Sequence, residues 1–154
     1  MGQAGAELAS YIKTLVVAKG AQYLVVRNLA DVNLTPGGLS LNSGTRGLIT
    51  NMTQAYNAQL ASGLIGTAGV VLLDDYAQLA AVAANPTSFG YSNVVGVACG
   101  NNAFGGSSIV CNTTNLIAGN TSAYAFADDS HPTPYAHQKE AVVALDAMAK
   151  VGWR

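Results

Sequence analysis

Charge is what this sequence has least of. Only 10% of its 154 residues are Asp, Glu, Lys or Arg, where an ordinary soluble domain has about a quarter. Seven Lys and Arg face eight Asp and Glu, a formal net charge of −1. No basic face is available to neutralise a phosphate backbone, which argues against nucleic acid as a partner. Long apolar runs are missing too. Val70–Leu73 and Leu79–Ala84 fall far short of the ~20 residues a membrane span needs, so no transmembrane segment is expected. Met1 to Ser10 lacks a basic leader and is followed by Lys13 and Lys19, unlike a signal peptide. With two Cys and two His in all, no ligand set stands at zinc spacing, and neither a metal nor another cofactor is expected.

Half of the residues are hydrophobic, rich in Ala, Val, Leu and Ile, and no charge blocks occur, so the chain should fold rather than stay disordered. Its length suits one domain, residues 1–154, able to bury about 70% of the surface its unfolded chain exposes. Leu8, Ile12, Leu15 and Val16 share one face of a helix predicted over Ala4–Lys19, stopped by Gly20. A short strand follows at Tyr23–Val26, then a loop over Asn28–Gly44 that turns at Thr35-Pro36-Gly37-Gly38. A second helix is predicted over Thr45–Leu60, with Leu48, Met52, Ala55, Tyr56 and Gln59 along one side. Val70–Leu73 is a second strand, and an Ala-rich helix after it closes at Asn85-Pro86. Ser88–Ser122 reads as a long glycine-rich loop, Tyr124–Ala127 as a third strand. Thr133 caps a last helix with Pro134 in its first turn, running to about Lys150.

Helices alternating with strands predict an α/β layered fold around a parallel sheet. The strands are apolar without alternation, as expected when helices cover both faces. Ligands of such sheets sit beyond the carboxyl ends of the strands. Here those ends are Asn28–Asp31, Asp74-Asp75 and Asp128–His131.

Cys99 and Cys111 both lie inside the glycine-rich loop. A bridge between them would close a loop of about 13 residues, restrict the unfolded chain by roughly 3 kcal/mol and imply an oxidising compartment. Two free thiols would imply a reducing one. The bridge is the expectation, since it explains how so glycine-rich a segment stays ordered.

His131 sits between the end of a strand and the cap of a helix. A histidine acting as general base needs a carboxylate to fix its tautomer and stabilise its cation. Asp128, three residues back across a tight turn, can accept the Nδ1–H and leave Nε2 facing outward. Asp129 is the competing partner, although its spacing splays the side chains apart. The alternative is that Asp128 and His131 only hydrogen-bond the turn and cap the helix. His137, a turn into that helix, is read as a packing or hydrogen-bonding residue.

Asp128-x-x-His131-Pro132-Thr133 followed by His137 resembles the last conserved block of the GDSL or SGNH hydrolases, D-x-x-H-P-T-x-x-x-H. Gly20 to Asp31 is similar to the strand and N-L-P-D turn of the branch containing secreted lipases, lecithinase-like enzymes and autotransporter esterases, with Ala30 in place of proline. Leu34-Thr35-Pro36, Tyr56-Asn57-x-x-Leu60, Asn85-Pro86, Phe89-Gly90-Tyr91-x-Asn93 and the cysteine-bearing loop agree with it. The resemblance covers residues 4 to 150. It corresponds to the C-terminal part of the family domain, because the G-D-S-L, Gly and G-x-N-D blocks find no match in this sequence. Gly100-Asn101-Asn102 lacks the Asp of the last.

The resemblance implies a three-layer, flavodoxin-like parallel sheet, here incomplete, and a carboxylic ester hydrolase. Asp128 would be its acid and His131 its base, with a serine nucleophile not identifiable here. If this chain acts alone, Ser130 beside the base, or Ser107 and Ser108 in the glycine-rich loop, must serve. A small acyl or aryl ester suits the low polarity of the surrounding loops. A sugar deacetylase is a further possibility within the same family. The other function class is a catalytically silent fragment that assembles or binds without turnover. Because the absent blocks would supply central strands, an open strand edge is expected, covered by a homo-oligomer or a complementing N-terminal segment. The branch it resembles is secreted or periplasmic.

Overall fold

The computed structural model describes residues 1–153. Its architecture is α/β, with four short strands in two parallel pairs. The first pair is β1 (Leu24–Arg27) with β2 (Val70–Leu73), in register Leu24 to Val70 through Arg27 to Leu73. The second is β3 (Asn93–Val97) with β4 (Tyr124–Phe126). The sequence predicts three strands, and β3 falls where it predicts only loop. Asn93, Gly96 and a register irregularity between Asn93 and Val97 mask the strand pattern, and its partner β4 comes only after the whole glycine-rich segment.

The opening helix begins as α1 (Gly2–Tyr11), passes through a π turn at Ile12–Val16 and a 3-10 turn at Val17–Lys19, and ends on Gly20 at φ 101°. Gly5 is what lets it dock. A Cβ there would stand 2.2 Å from the Tyr56 carbonyl oxygen of α3 (Ser43–Leu64), so only glycine permits this approach. The π turn adds a residue to the turn, and the Val17 N–H returns to the Ile12 carbonyl. The helix face is rotated by that step. Val17 packs in the core, whereas the predicted Leu15 and Val16 are exposed.

On α3 the expected stripe is also displaced. Thr53, Leu60 and Leu64 are buried and Tyr56 packs beside them, while Leu48 and Met52 face outward. A threonine on the buried stripe and a leucine on the exposed one make hydrophobicity alone select the wrong side. Ala9, Ile12, Val26, Leu60 and Leu64 form the core between the two helices and the first strand pair.

A second core joins Val82 of α4 (Asp75–Ala84), Tyr91, Val94, Ala125, Phe126 and Ala136 of α5 (Pro134–Lys150). Helix α5 crosses to the other side of the first pair, where Arg27 Nε lies 2.6 Å from Asp75 Oδ2 and Nη1 3.0 Å from Glu140 Oε2. Between Val97 and β4 the chain forms a loop closed by a Cys99–Cys111 disulfide. One edge of β1 is open. The N–H groups of Leu24 and Asn28 donate to Gly69 and Leu73, so Val25 and Arg27 point to the opposite edge. No described strand pairs there. No helix of the described residues is long and apolar enough to cross a membrane.

Candidate active site

Strand β4 ends in a turn that its own backbone closes. Ala127 N–H donates to the His131 carbonyl at 2.7 Å and Thr133 N–H to the Ala125 carbonyl at 2.9 Å. Thr133 then fixes the exit. Its hydroxyl donates to the Tyr124 carbonyl at 2.6 Å and accepts from Ala136 N–H at 3.1 Å, capping α5 as its sequence position suggests. Pro134, in the first turn, carries no N–H to leave unsatisfied.

Inside this turn, His131 Nδ1 lies 2.8 Å from Asp128 Oδ1 and 2.9 Å from Oδ2. The carboxylate also accepts three main-chain N–H groups: His131 at 2.8 Å and Ser130 at 3.1 Å on Oδ1, and Ser108 at 2.7 Å on Oδ2. Partial burial opposes charge on Asp128, but the amides of His131, Ser108 and Ser130, with the Ser108 hydroxyl, outweigh it and hold the carboxyl well below its ordinary range. An ionised carboxylate only accepts, so the imidazole keeps its proton on Nδ1 and presents Nε2 as the free acceptor. The acid side chain is 12% exposed and the imidazole 63%. The acid is therefore sunk in the turn and the base stands in solvent. Among the described residues Nε2 has no hydrogen-bond partner, and no side chain supplies it with a hydroxyl.

His131 opens on a cleft of about 590 Å³ whose other walls include Gly100, Asn101, Phe104, Ser107 and Asp129. The titratable groups in that wall are Asp128, Asp129 and His131. On the inner side of the same turn lies a separate, mostly apolar cavity of about 400 Å³, lined by Leu29, Leu79, Val82, Phe89 and Phe126, and also by Arg27, Asp75, Lys139 and Glu140. Ser130 lines both spaces.

The other sequence candidates fall in different places. Ser130 Oγ is 3.5 Å from His131 Nδ1, the edge already held by Asp128, and so does not stand at Nε2. Ser107 lines the cleft, its hydroxyl accepting from Ile109 N–H at 3.4 Å. Ser108 turns both its main-chain N–H and its hydroxyl to Asp128, so its hydroxyl is engaged there. Asp129 accepts Gly37 N–H on its carbonyl at 2.8 Å, tying the Thr35–Gly38 turn to the site. Asn28 Nδ2 donates to Asp74 Oδ1 at 2.8 Å, and Asp74 caps α4, so two of the three strand ends are occupied in bracing each other. His137 Nδ1 is 3.6 Å from Glu140 on the surface of α5. Asn102, in the Gly100-Asn101-Asn102 stretch compared above with the G-x-N-D block, organises its own loop. It accepts from Phe104 and Gly106 N–H and donates to the Ser107 carbonyl. The Ser108 amide is the contact that sequence reading misses, because a main-chain donor leaves no side-chain signature.

A carboxylate–imidazole pair on a turn after a parallel strand is chemically an acid–base unit. No protein-family profile matches the chain. Over 68 residues, 44% of its length, it is 38% identical to Lipase 1 of Photorhabdus luminescens, of which that match covers 10%. Over 130 residues, 75% of its length, it is 28% identical to a GDSL esterase/lipase of Arabidopsis thaliana, of which the match covers 34%. The chain thus spans about a tenth and about a third of these two curated relatives.

Proposed function

We propose that this chain carries the acid–base half of a carboxylic-ester hydrolase site. The observation that carries the reading is the Asp128 carboxylate bridging His131 Nδ1 while Nε2 stands unpartnered in an open cleft. Similarity to a lipase and to a GDSL esterase/lipase supports it. His131 takes the proton of a serine hydroxyl as the oxygen attacks the acyl carbon, then returns it to the departing alcohol; Asp128 orients the ring and stabilises the imidazolium. The small apolar cavity behind Ser130 favours an acyl or aryl ester over a charged substrate. The serine and the oxyanion donors come from polypeptide outside these 154 residues, added at the open edge of β1, in keeping with the greater length of both relatives. The chain corresponds in this reading to the C-terminal part of an SGNH-hydrolase domain. The disulfide suits a secreted or periplasmic setting.

Hydrolysis of a short-chain chromogenic ester, alone and with a supplied N-terminal segment, tests this. Turnover should fall at least a thousandfold, on the order seen when a triad member is lost, in His131→Ala. Turnover unchanged by that substitution overturns the assignment. A fluorophosphonate label located by mass spectrometry identifies the serine. The second reading is a silent fragment, favoured by the absence of any hydroxyl at Nε2 among the described residues. It predicts no hydrolysis under either condition.

A further inference from the structure

The loop between β3 and β4 is necked and then folded back on the site. Its neck is the Cys99–Cys111 disulfide, with Cα atoms 5.8 Å apart. An antiparallel bridge from Cys99 to Leu116 reinforces it, as do the bonds from Gly100 N–H to Asn115 and from Ile117 N–H to Ala98. Cys99 N–H also donates to the Ala127 carbonyl at 2.9 Å, anchoring the neck one residue before Asp128. Asn102 gathers the tip. From that tip Ser108 N–H reaches Asp128 Oδ2 at 2.7 Å, the shortest of the carboxylate's contacts and the one that comes from another part of the chain. The other two amides, from Ser130 and His131, belong to the turn itself and cannot fix it against the rest of the molecule.

We infer that Ser108 is a positioning residue: its main-chain N–H, held by the disulfide-necked loop, locks the Asp128 carboxylate in the plane that orients His131. The Ser108 hydroxyl also bonds the carboxylate, but a hydroxyl turns about its own side chain, whereas the amide is fixed by the loop backbone. Calling the residue a positioning one rests on the acid–base reading above, but the contact is testable without any turnover.

Proline removes the amide donor, and Ser108→Ala controls for the hydroxyl lost with it. Ser108 opens a one-turn 3-10 helix whose internal bond uses its carbonyl, not its N–H, and Ser107 before it has the extended φ −58°, ψ 141° that proline tolerates in a preceding residue. The carboxyl carbon of Asp128 is followed by NMR as pH is lowered, with the imidazole nitrogens read for tautomer. In Ser108→Pro the titration midpoint should move up by about one pH unit, the size of one lost hydrogen bond to a charged group. Ser108→Ala, which keeps the N–H and loses only the hydroxyl bond, should move it by clearly less than Ser108→Pro. Cys99→Ala combined with Cys111→Ala should move it in the same direction as Ser108→Pro. A folded Ser108→Pro that titrates like the parent overturns the inference, and so does an equal shift in Ser108→Ala. If the proline variant fails to fold, hydrogen exchange of the Ser108 amide in the parent decides: protection lost in Asp128→Ala supports the contact, and unchanged protection overturns it. Unchanged ester hydrolysis in His131→Ala would remove the functional reading and leave this result standing.

Discussion

The two halves of the molecule are held by different physics. Around β1 and β2, glycine and alanine bring α1 and α3 into close contact, and Leu60, fully buried, sits at the centre of an aliphatic cluster. In the loop between β3 and β4 and in the turn at 128–131, outside the second core, there is little apolar packing. Order comes instead from a disulfide, Asx-type side-chain bonds and main-chain donors converging on one carboxylate. Hydrophobic packing is non-directional and tolerant of small shifts, whereas hydrogen bonds fix angles. The region that holds the Asp128–His131 pair is the one built from directional contacts.

The halves should therefore fail differently. Leu60→Ala leaves a cavity in the first half and should cost about 4 kcal/mol in denaturant unfolding, while leaving the Asp128 titration where it is. Replacing both cysteines by alanine should cost about 3 kcal/mol by releasing the closed loop, and here the titration should shift as well. Thr133→Ala removes the cap of α5 and should cost about 1 kcal/mol. A further difference between the halves is a pH dependence. Asp128 has a folded pKa below its unfolded value of about 3.8, so its stabilisation is complete above about pH 4 and is lost as pH falls below that. Urea unfolding between about pH 5 and 2 should show a shallower acid loss in Asp128→Asn than in the parent. An equally steep loss would place the acid sensitivity elsewhere in the chain.

Legibility in the sequence follows the same division. Strands β1, β2 and β4, the cap at Thr133 and the stop at Gly20 are local events, fixed by neighbours a few residues away. They were readable for that reason. Strand β3 was not, because it depends on a partner beyond the disulfide loop. The buried faces of α1 and α3 differ from those the sequence pattern predicts because a π turn and a buried threonine alter which side meets the core. At the site, the three-residue spacing of Asp128 and His131 allowed the pair to be anticipated, since the turn joining them is short. The Ser108 amide was invisible: any residue but proline can donate a main-chain N–H, so the side-chain identity carries no trace of it.

What the sequence alone determined is the local chemistry: an α/β alternation, a capped last helix, two cysteines in one loop, and an acid and an imidazole placed to meet across a tight turn. These depend on covalent proximity. The tertiary structure decided which faces were buried, that four strands pair as two couples, and which distant amide grips the carboxylate. Those outcomes are set by segments that meet only after folding, so no short window of residues contains them.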